Sequence, residues 1–256
     1  MHFGIERKVA LITGGARGIG FAEAKALCGE GVRLAIVDLD RDAADNAVEE
    51  LAKEGFEAAA FQADAANEEA VVDVLKAVVA HFGRLDILVN NAGIGVKPAY
   101  QVQDMPANAW DQMIHVHMRS TFLWSREAIP HMAKNHFGRI VNTSSMNFTG
   151  GGRPGVSHYA AAKAGIAGFT QTLAKEVGPL GITANAIAPG YVATELIAQF
   201  DERMRTLLQK QNPMGRLCQP AEVAALVAFL CSAHAGFING ELICLDGGRR
   251  DFYWGE

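Results

Sequence analysis

The sequence lacks the features that would place it among several other classes of protein. No stretch approaches the ~18 consecutive apolar residues of a membrane-spanning helix, and the first apolar run, Val9 to Thr13, stops at glycines. There is no basic tract, and the formal net charge of -5 disfavours nucleic acid as a partner. The four cysteines form no C-x-x-C pair and suit neither a zinc site nor a disulfide framework. We therefore expect a cytoplasmic protein that binds no metal, no membrane and no nucleic acid.

Internal repeats, low-complexity segments and linkers are also absent, so residues 1–256 are expected to form a single domain. Short apolar runs alternate with amphipathic stretches, and several runs are apolar throughout, which is typical of parallel strands covered on both faces. This alternation predicts an α/β protein with a Rossmann-type, doubly wound parallel sheet. Strands are predicted over 8–14, 32–38, 56–64, 85–93, 138–145, 182–190 and 241–248. Helices are predicted over 18–29, 41–54, 67–82, 107–135, 157–178 and 220–233.

A glycine-rich segment, residues 13–20 (TGGARGIG), joins the first predicted strand to the first helix. Glycines there permit a tight turn and let the backbone approach a pyrophosphate, which the helix N-terminus would hold. Asp38 ends the second strand, where a carboxylate can accept hydrogen bonds from the adenosine ribose and repel a 2′-phosphate. The sequence therefore favours NAD over NADP, although Arg17 or Arg41 could pair with a 2′-phosphate and Asp38 could instead cap the next helix.

Tyr159 and Lys163 lie four residues apart in a helical pattern, so their side chains share one face of the helix. A tyrosine with its ordinary pKa of about 10 cannot act as a base at neutral pH. A fixed ammonium group nearby, together with a positive nicotinamide ring, would lower that pKa. Ser145 ends the fifth strand, where its hydroxyl could hold a substrate oxygen or simply form part of a turn.

Taken together, these motifs resemble the classical short-chain dehydrogenase/reductase family across essentially the whole chain. T-G-x-x-x-G-I-G (13–20), N-N-A-G (90–93), Ser145, Y-x-x-x-K (159–163), P-G-x-V-x-T (189–194) and D-G-G (246–248) occur in the family's order and approximate spacing. The resemblance implies a seven-stranded sheet of order 3-2-1-4-5-6-7 and a homotetramer. It implies hydride transfer between the nicotinamide and a substrate carbon, with Tyr159 as general acid/base. Lys163 would hold the nicotinamide ribose and depress the tyrosine pKa, and Ser145 would position the substrate oxygen.

The resemblance also implies which residues contact the cofactor. Asp64 is expected near the adenine edge, or else as a cap for the following helix, and Thr194 is expected near the nicotinamide carboxamide. The expected cofactor contacts are Gly14, Arg17, Gly18, Ile19, Gly20, Asp38, Leu39, Asp64, Ala65, Asn91, Ala92, Gly93, Tyr159, Lys163, Pro189, Gly190, Val192 and Thr194.

The substrate is expected to be a small-molecule secondary alcohol or ketone. The loop between Ser145 and Tyr159 forms a wall of the substrate site in this family, and its Gly150-Gly151-Gly152 run gives adaptable backbone. The predicted substrate contacts are Ser145, Asn147, Phe148, Tyr159 and Tyr191. Residues 191–219 read as an insertion that either covers the substrate or forms a plain pair of surface helices.

One residue departs from the family pattern. His117 stands where the family usually has an asparagine that helps hold a water between the lysine and solvent. A neutral His117 could hold the same water, a backbone carbonyl could suffice, or the histidine could be a packing substitution without a role. We include His117 among the predicted catalytic residues.

Three functions are compatible with these features of the sequence. The first is an NAD(H)-dependent oxidoreductase of secondary alcohols and ketones. The second is a 3-oxoacyl thioester (acyl-carrier-protein) reductase, against which Asp38 argues because such reductases usually take NADPH. The third is a non-catalytic dinucleotide-sensing protein, against which the intact Ser145, Tyr159 and Lys163 argue. For the homotetramer, the helices over 107–135 and 157–178 offer Trp124 and Phe169 as possible contacts, although burial within the chain would explain both equally well.

Overall fold

Seven parallel strands form one sheet in the computed structural model, which describes residues 2–149 and 152–249. The strands are β1 (Val9–Thr13), β2 (Arg33–Asp38), β3 (Ala58–Gln62), β4 (Ile87–Asn90), β5 (Gly138–Thr143), β6 (Ile182–Pro189) and β7 (Leu242–Leu245). Their spatial order, β3-β2-β1-β4-β5-β6-β7, confirms the predicted order. Gly150 and Gly151 of the predicted adaptable loop lie outside the described residues.

Helices cover both faces of this sheet. They are α1 (Gly18–Gly29), α2 (Arg41–Lys53), α3 (Glu68–Phe82), α4 (Ala107–Ile114), α5 (Ser120–Ala133), α6 (Met146–Thr149), α7 (Ser157–Val177), α8 (Glu195–Ala198), α9 (Glu202–Lys210) and α10 (Pro220–Cys231). Within residues 2–149 and 152–249, no helix has both the length and the apolar composition needed to cross a bilayer.

The side chains of β1 show how the sheet separates two cores. Ala10 and Ile12 pack into a cluster that includes residues of α1, α2 and α10, while Val9 and Leu11 pack into one that includes residues of α3, α5 and α7. All four are completely buried. Alternate residues of a strand point to opposite faces, so a strand that is apolar throughout requires helices on both sides. This is the physical basis of the doubly wound fold that the continuous apolar runs predict.

The helix predicted over 107–135 is interrupted. A π-helical turn, His115–Arg119, separates α4 from α5. The hydroxyl of Ser120 donates to the carbonyl oxygen of Val116 at 2.6 Å, and that of Thr121 donates to the carbonyl oxygen of His117 at 2.9 Å. These bonds satisfy carbonyl groups near the widened turn. The continuous helical pattern of the sequence does not reveal this turn.

Candidate active site

A cleft of about 590 Å³ opens beyond the carboxyl ends of the strands. In an open parallel sheet, this edge is where ligands bind. The cleft brings together many of the residues predicted for cofactor, catalysis and substrate: Ile19, Asn91, Gly93, His117, Ser145, Asn147, Tyr159, Lys163, Pro189, Gly190, Tyr191, Val192 and Thr194.

The glycine-rich turn between β1 and α1 fits a dinucleotide pyrophosphate. Gly14 and Gly18 adopt φ values of +63° and +57°, and a Cβ atom on Gly20 would lie 2.2 Å from the carbonyl oxygen of Gly14. Helix α1 begins without a side-chain cap and without an acidic residue in its first turn, whereas Asp40 caps α2 and Asn67 caps α3. The first N–H groups of α1 are therefore free of any capping carboxylate, as an anion site at a helix N-terminus requires.

Asp38 lies at the end of β2, beside this turn. Its carboxylate accepts hydrogen bonds from the backbone N–H of Ala16 at 3.3 Å and of Asp40 at 3.2 Å. The alternative that Asp38 caps α2 is wrong, because Asp40 accepts from the N–H of Ala43 and is the cap. Asp40 also pairs with Arg17.

Arg41 likewise has a carboxylate partner, since its Nε donates to Asp45 at 2.7 Å. Both cations that could have held a 2′-phosphate therefore lie in ion pairs with acids of this chain. The pairs are exposed and screened by solvent, so each opposes the binding of a 2′-phosphate only weakly.

The ends of β1 and β4 are tied together by side-chain amides and a hydroxyl. The Asn91 side chain donates to the carbonyl oxygen of Gly14 at 3.0 Å, and the Thr13 hydroxyl accepts from the N–H of Asn91 and of Ala92, each at 3.1 Å.

Asp64, after β3, accepts from the N–H of Ala66 at 2.9 Å. Because Asn67 caps α3, the alternative role of Asp64 as that cap is also wrong.

Ser145, Tyr159 and Lys163 converge from β5 and α7. The Nζ of Lys163 donates to the carbonyl oxygen of Thr143 at 2.6 Å and lies 5.7 Å from the centre of the Tyr159 ring. The Oγ of Ser145 accepts from the backbone N–H and the side-chain amide of Asn147, at 3.2 and 3.1 Å. One helical turn between Tyr159 and Lys163 thus brings both to the serine at the end of β5.

The pKa values of this group differ from the expectation that Lys163 depresses the pKa of Tyr159. Burial raises the pKa of Tyr159 above its ordinary value, and a hydrogen bond with Ser145 opposes that rise. Burial also lowers the pKa of Lys163 to about 7. The physical reason is that loss of water penalises the charged form of both groups, so the lysine is a weaker cation than in solution.

His117 contacts both the tyrosine and the loop after β4. Its Nε2 lies 3.3 Å from the N–H nitrogen and 3.1 Å from the carbonyl oxygen of Ile94, and its ring meets the Tyr159 ring edge-on at 5.2 Å. Burial and the charge of Lys163 lower the pKa of His117 well below its ordinary range, so the imidazole is neutral. A Cβ atom on Gly93 would lie 2.5 Å from its Cε1, so glycine at 93 makes room for this ring.

Comparison with known proteins points to the same family that the sequence motifs resemble. A family model described as enoyl-(acyl carrier protein) reductase matches residues 14–250. A (2S)-[(R)-hydroxy(phenyl)methyl]succinyl-CoA dehydrogenase subunit of Thauera aromatica is 36% identical over 249 residues, 97% of this chain and 99% of the relative. The 3-oxoacyl-[acyl-carrier-protein] reductase FabG of Aquifex aeolicus is 37% identical over 250 residues, again 97% and 99%.

A solved short-chain dehydrogenase/reductase of Serratia marcescens has a TM-score of 0.90 and 34% identity, covering 96% of this chain and 99% of that one. The chain belongs to the classical short-chain dehydrogenase/reductase family. It is accordingly an oxidoreductase with the family's Rossmann-type fold, and the family uses nicotinamide dinucleotide cofactors.

Within this short-chain dehydrogenase/reductase, some predicted site residues lie away from the cleft. Phe148, on α6, is half-buried and does not line it, Leu39 is 68% exposed, and Asp64 is exposed. The turn residues Gly14, Arg17, Gly18 and Gly20, together with Asp38, Ala65 and Ala92, also lie outside the cleft lining. The glycine-rich turn follows β1, and Asp38 is the last residue of β2. Leu39 and Asp64 come after β2 and β3, so all of these residues lie at the same edge of the sheet.

The structure also adds residues to this site that the sequence analysis did not select. Arg153 and Thr143 line the cleft, as do Leu196, Phe200 and Met204 of the segment over 191–219. In that segment Tyr191, Phe200 and Met204 pack on a small core of their own. The sequence indicates this segment only as an insertion that could cover the substrate, and the folded chain shows which of its apolar side chains line the cleft.

Proposed function

We propose that this oxidoreductase interconverts a secondary alcohol and a ketone, using NAD(H), with Tyr159 as the general acid/base. One observation carries the proposal: Tyr159, Ser145 and Lys163 line one cleft, which also reaches Ile19 of α1, and the Nζ of Lys163 lies 5.7 Å from the centre of the Tyr159 ring. A proton-transferring group next to a dinucleotide-binding turn is what hydride chemistry on a carbonyl requires.

The residues present fit the cofactor along its length. The uncapped N-terminus of α1 suits the pyrophosphate, Asp38 suits the adenosine ribose, and Thr194 and Lys163 line the cleft where the nicotinamide half would bind. When bound, NAD(H) supplies or accepts the hydride. The residues of the chain position the two reactants and handle the proton.

Ser145 is arranged to donate a hydrogen bond. Its Oγ already accepts two hydrogen bonds from Asn147, so its own proton is available for a substrate oxygen or for Tyr159. In ketone reduction, the neutral phenol of Tyr159 gives its proton to the carbonyl oxygen as that oxygen becomes a hydroxyl. In alcohol oxidation the proton returns to the tyrosine oxygen, and Lys163, with a pKa of about 7, can exchange it onward.

The preference for NAD rests on charge at the end of β2. Asp38 is half-buried and Asp40 follows it, so a 2′-phosphate would meet two carboxylates. Arg17, the nearest cation in the turn, is paired with Asp40. Repulsion between like charges disfavours NADP more directly than a single exposed, already paired arginine favours it.

We also propose a cytoplasmic homotetramer in which residues 191–219 cover the substrate. Trp124 is not an interface residue, because it is completely buried and its indole N–H donates to the carbonyl oxygen of Ala65 at 3.0 Å. Phe122 instead is 44% exposed and meets Phe169 edge-on at 6.5 Å, so this pair presents apolar surface on α5 and α7. Light scattering would measure the oligomeric state, and a monomeric mass would reject the tetramer.

A 3-oxoacyl thioester reductase remains a second candidate. The relatives named 3-oxoacyl-[acyl-carrier-protein] reductase, at 36–38% identity, favour it. Asp38 argues against it, because Asp38 favours NAD whereas such reductases usually take NADPH. The non-catalytic alternative, a dinucleotide sensor, would leave Ser145, Tyr159 and Lys163 without a use.

A panel of secondary alcohols, ketones and 3-oxoacyl thioesters, assayed in both directions with each nicotinamide cofactor, separates these functions. We expect turnover of small ketones with NADH. Turnover confined to thioesters with NADPH would favour the second candidate, and nucleotide binding without any turnover would favour the sensor.

A further inference from the structure

Arg153 is a cation in the cleft that the proposed proton transfer does not use. It lies between α6 and α7, is half-buried, and lines the same cleft as Ser145 and Tyr159. A half-buried guanidinium at a site of this kind has lost part of its water, so it attracts an anion more strongly than a fully exposed arginine does.

Within residues 2–149 and 152–249, no carboxylate forms an ion pair with Arg153 and no acceptor takes a hydrogen bond from it. Other arginines behave differently, since Arg126 pairs with Glu68 and Arg216 pairs with Glu222. The acidic residue that lines the cleft is Asp201, and its carboxylate caps α9 by accepting from the N–H of Met204 at 2.7 Å. The charge of Arg153 is therefore not neutralised by a carboxylate of the described chain.

Tyr191 links this charge to the reacting groups. Burial raises the pKa of Tyr191, while the charges of Arg249 and Arg153 lower it and Tyr159 raises it further. The guanidinium of Arg249 lies 5.4 Å from the centre of the Tyr191 ring. Arg153, Tyr159 and Tyr191 all line the same cleft.

The rest of the wall that residues 191–219 contribute is largely apolar, with Gln199 and Asp201 as polar members. Its apolar members include Leu196, Ile197, Phe200 and Met204. A ligand that reaches from Tyr159 to Arg153 would therefore place its carbon chain against apolar side chains and its far end against a cation. A planar guanidinium can bind the two oxygens of a carboxylate at once.

We propose that Arg153 binds a carboxylate of the substrate, so that the enzyme acts on hydroxy acids and the corresponding oxo acids. This inference rests on the proposed function, because it assumes that the substrate oxygen is held at Ser145 and Tyr159. It identifies Arg153 as the residue that selects a charged substrate over a neutral ketone of equal size.

The test compares each oxo acid with its own methyl ester, over the series from 3-oxobutanoate to 6-oxoheptanoate. Each pair has the same reacting carbonyl and differs in the anionic group. We expect the wild-type protein to favour the acid at one chain length. Arg153→Gln should lower kcat/KM for that acid by at least ~10-fold, because a charge-assisted hydrogen-bonded pair is lost, while the ester changes by less than about twofold. Arg153→Lys should recover part of the loss.

Arg203→Gln is the matched control, because Arg203 is an exposed arginine on α9 that does not line the cleft. It removes the same charge and should leave both substrates unchanged. Affinity for NADH, measured by its fluorescence, should be the same in all the variants.

Several outcomes would overturn the inference while leaving the proposed function intact. One is an equal loss for acid and ester in Arg153→Gln, and another is a wild-type protein that favours the esters at every length. A third is a loss confined to coenzyme A thioesters of neutral acids, which would show that Arg153 binds a phosphate of coenzyme A. Failure to turn over any acid or ester, or any alcohol or ketone of the substrate panel above, with either cofactor would overturn the proposed function, and this inference with it.

Discussion

The Lys163 ammonium nitrogen lies 5.7 Å from the centre of the Tyr159 ring and is fixed by a 2.6 Å hydrogen bond to the end of β5. The lysine thus lies one helical turn from Tyr159, with its ammonium group fixed at the end of β5. Burial brings its pKa to about 7, which lets it change protonation state near neutral pH. A lysine that changes protonation state near neutral pH is better suited to exchange a proton with Tyr159 than to serve as a permanent positive charge beside it.

The most direct prediction concerns the proton of Tyr159. Tyr159→Phe removes the hydroxyl and keeps the ring, so we expect kcat to fall by about 10²–10⁴-fold, as for loss of a general acid/base, with NADH binding retained. Steady-state kinetics and NADH fluorescence measure the two effects. Tyr100→Phe is the control, because Tyr100 is a half-buried tyrosine outside the cleft. Wild-type turnover by Tyr159→Phe would reject the mechanism.

A second prediction follows from the pKa of Lys163. Because that pKa is lowered to about 7, the side chain is charged below this pH and increasingly neutral above it. Ketone reduction, which consumes a proton, should slow as the pH rises through about 7, and alcohol oxidation should speed up over the same interval. Lys163→Arg keeps the charge at every pH, so any remaining activity should lose this inflection. A wild-type profile without an inflection between pH 6 and 8 would contradict the prediction.

His117 gives a third prediction. The imidazole is neutral and contacts Ile94 and the Tyr159 ring, so its contribution is placement and not charge. His117→Asn keeps a hydrogen-bonding side chain and should retain activity within about tenfold, with at most a changed pH profile. His117→Leu should lose more, because the bond to Ile94 disappears. A loss beyond about a hundredfold in His117→Asn, with normal circular dichroism, would count against a role that an amide can take over.

Cofactor selection provides a fourth prediction. Asp38→Ala removes the carboxylate next to the expected ribose, and we expect the ratio of kcat/KM for NAD to that for NADP to fall by at least ~10-fold. Asp42→Ala, on the exposed surface of α2, is the control for simple loss of negative charge. Kinetics with both cofactors for the three proteins provide the measurement. An unchanged ratio in Asp38→Ala would remove the argument for NAD.

A fifth prediction concerns stability and involves Glu23 of α1. Its side chain is completely buried, neither carboxylate oxygen has a hydrogen-bond partner in the described part of the chain, and burial raises its pKa from 4.5 to about 8. The folded state therefore binds this proton more tightly than the unfolded state does. The resulting stabilisation is fully present below pH 4.5 and is lost as the pH rises to about 8.

Glu23→Met should remove this pH dependence and raise the free energy of unfolding at pH 9 by on the order of 3 kcal/mol. Urea unfolding at pH 5 and pH 9 measures it, with Glu49→Gln on the exposed face of α2 as control. If the variant kept the wild-type difference between the two pH values, Glu23 would have to be ionised without penalty in the folded protein.

The local pattern of apolar and polar residues determined much of the architecture. Strands that are apolar on both faces require helices on both faces, and this requirement, together with the family's motif order, predicts a sheet whose observed order agrees. The ends of β1, β2 and β5 then share one edge, so the sequence alone predicts that Asp38 and Ser145 lie at the ligand-binding edge. The Tyr159–Lys163 pair follows from helical spacing alone.

Other features were decided by contacts between distant parts of the chain. Four such features are the π turn that carries His117, the pairing of Arg17 with Asp40, the burial of Glu23 and the presence of Arg153 and Tyr191 in one cleft. Charge and pKa depend on how much water surrounds a group and on which charges face it. The periodicity of the sequence carries neither quantity. Only the folded chain therefore determines that Lys163 is a weakened cation and that Arg153 forms no ion pair with a carboxylate of residues 2–149 and 152–249.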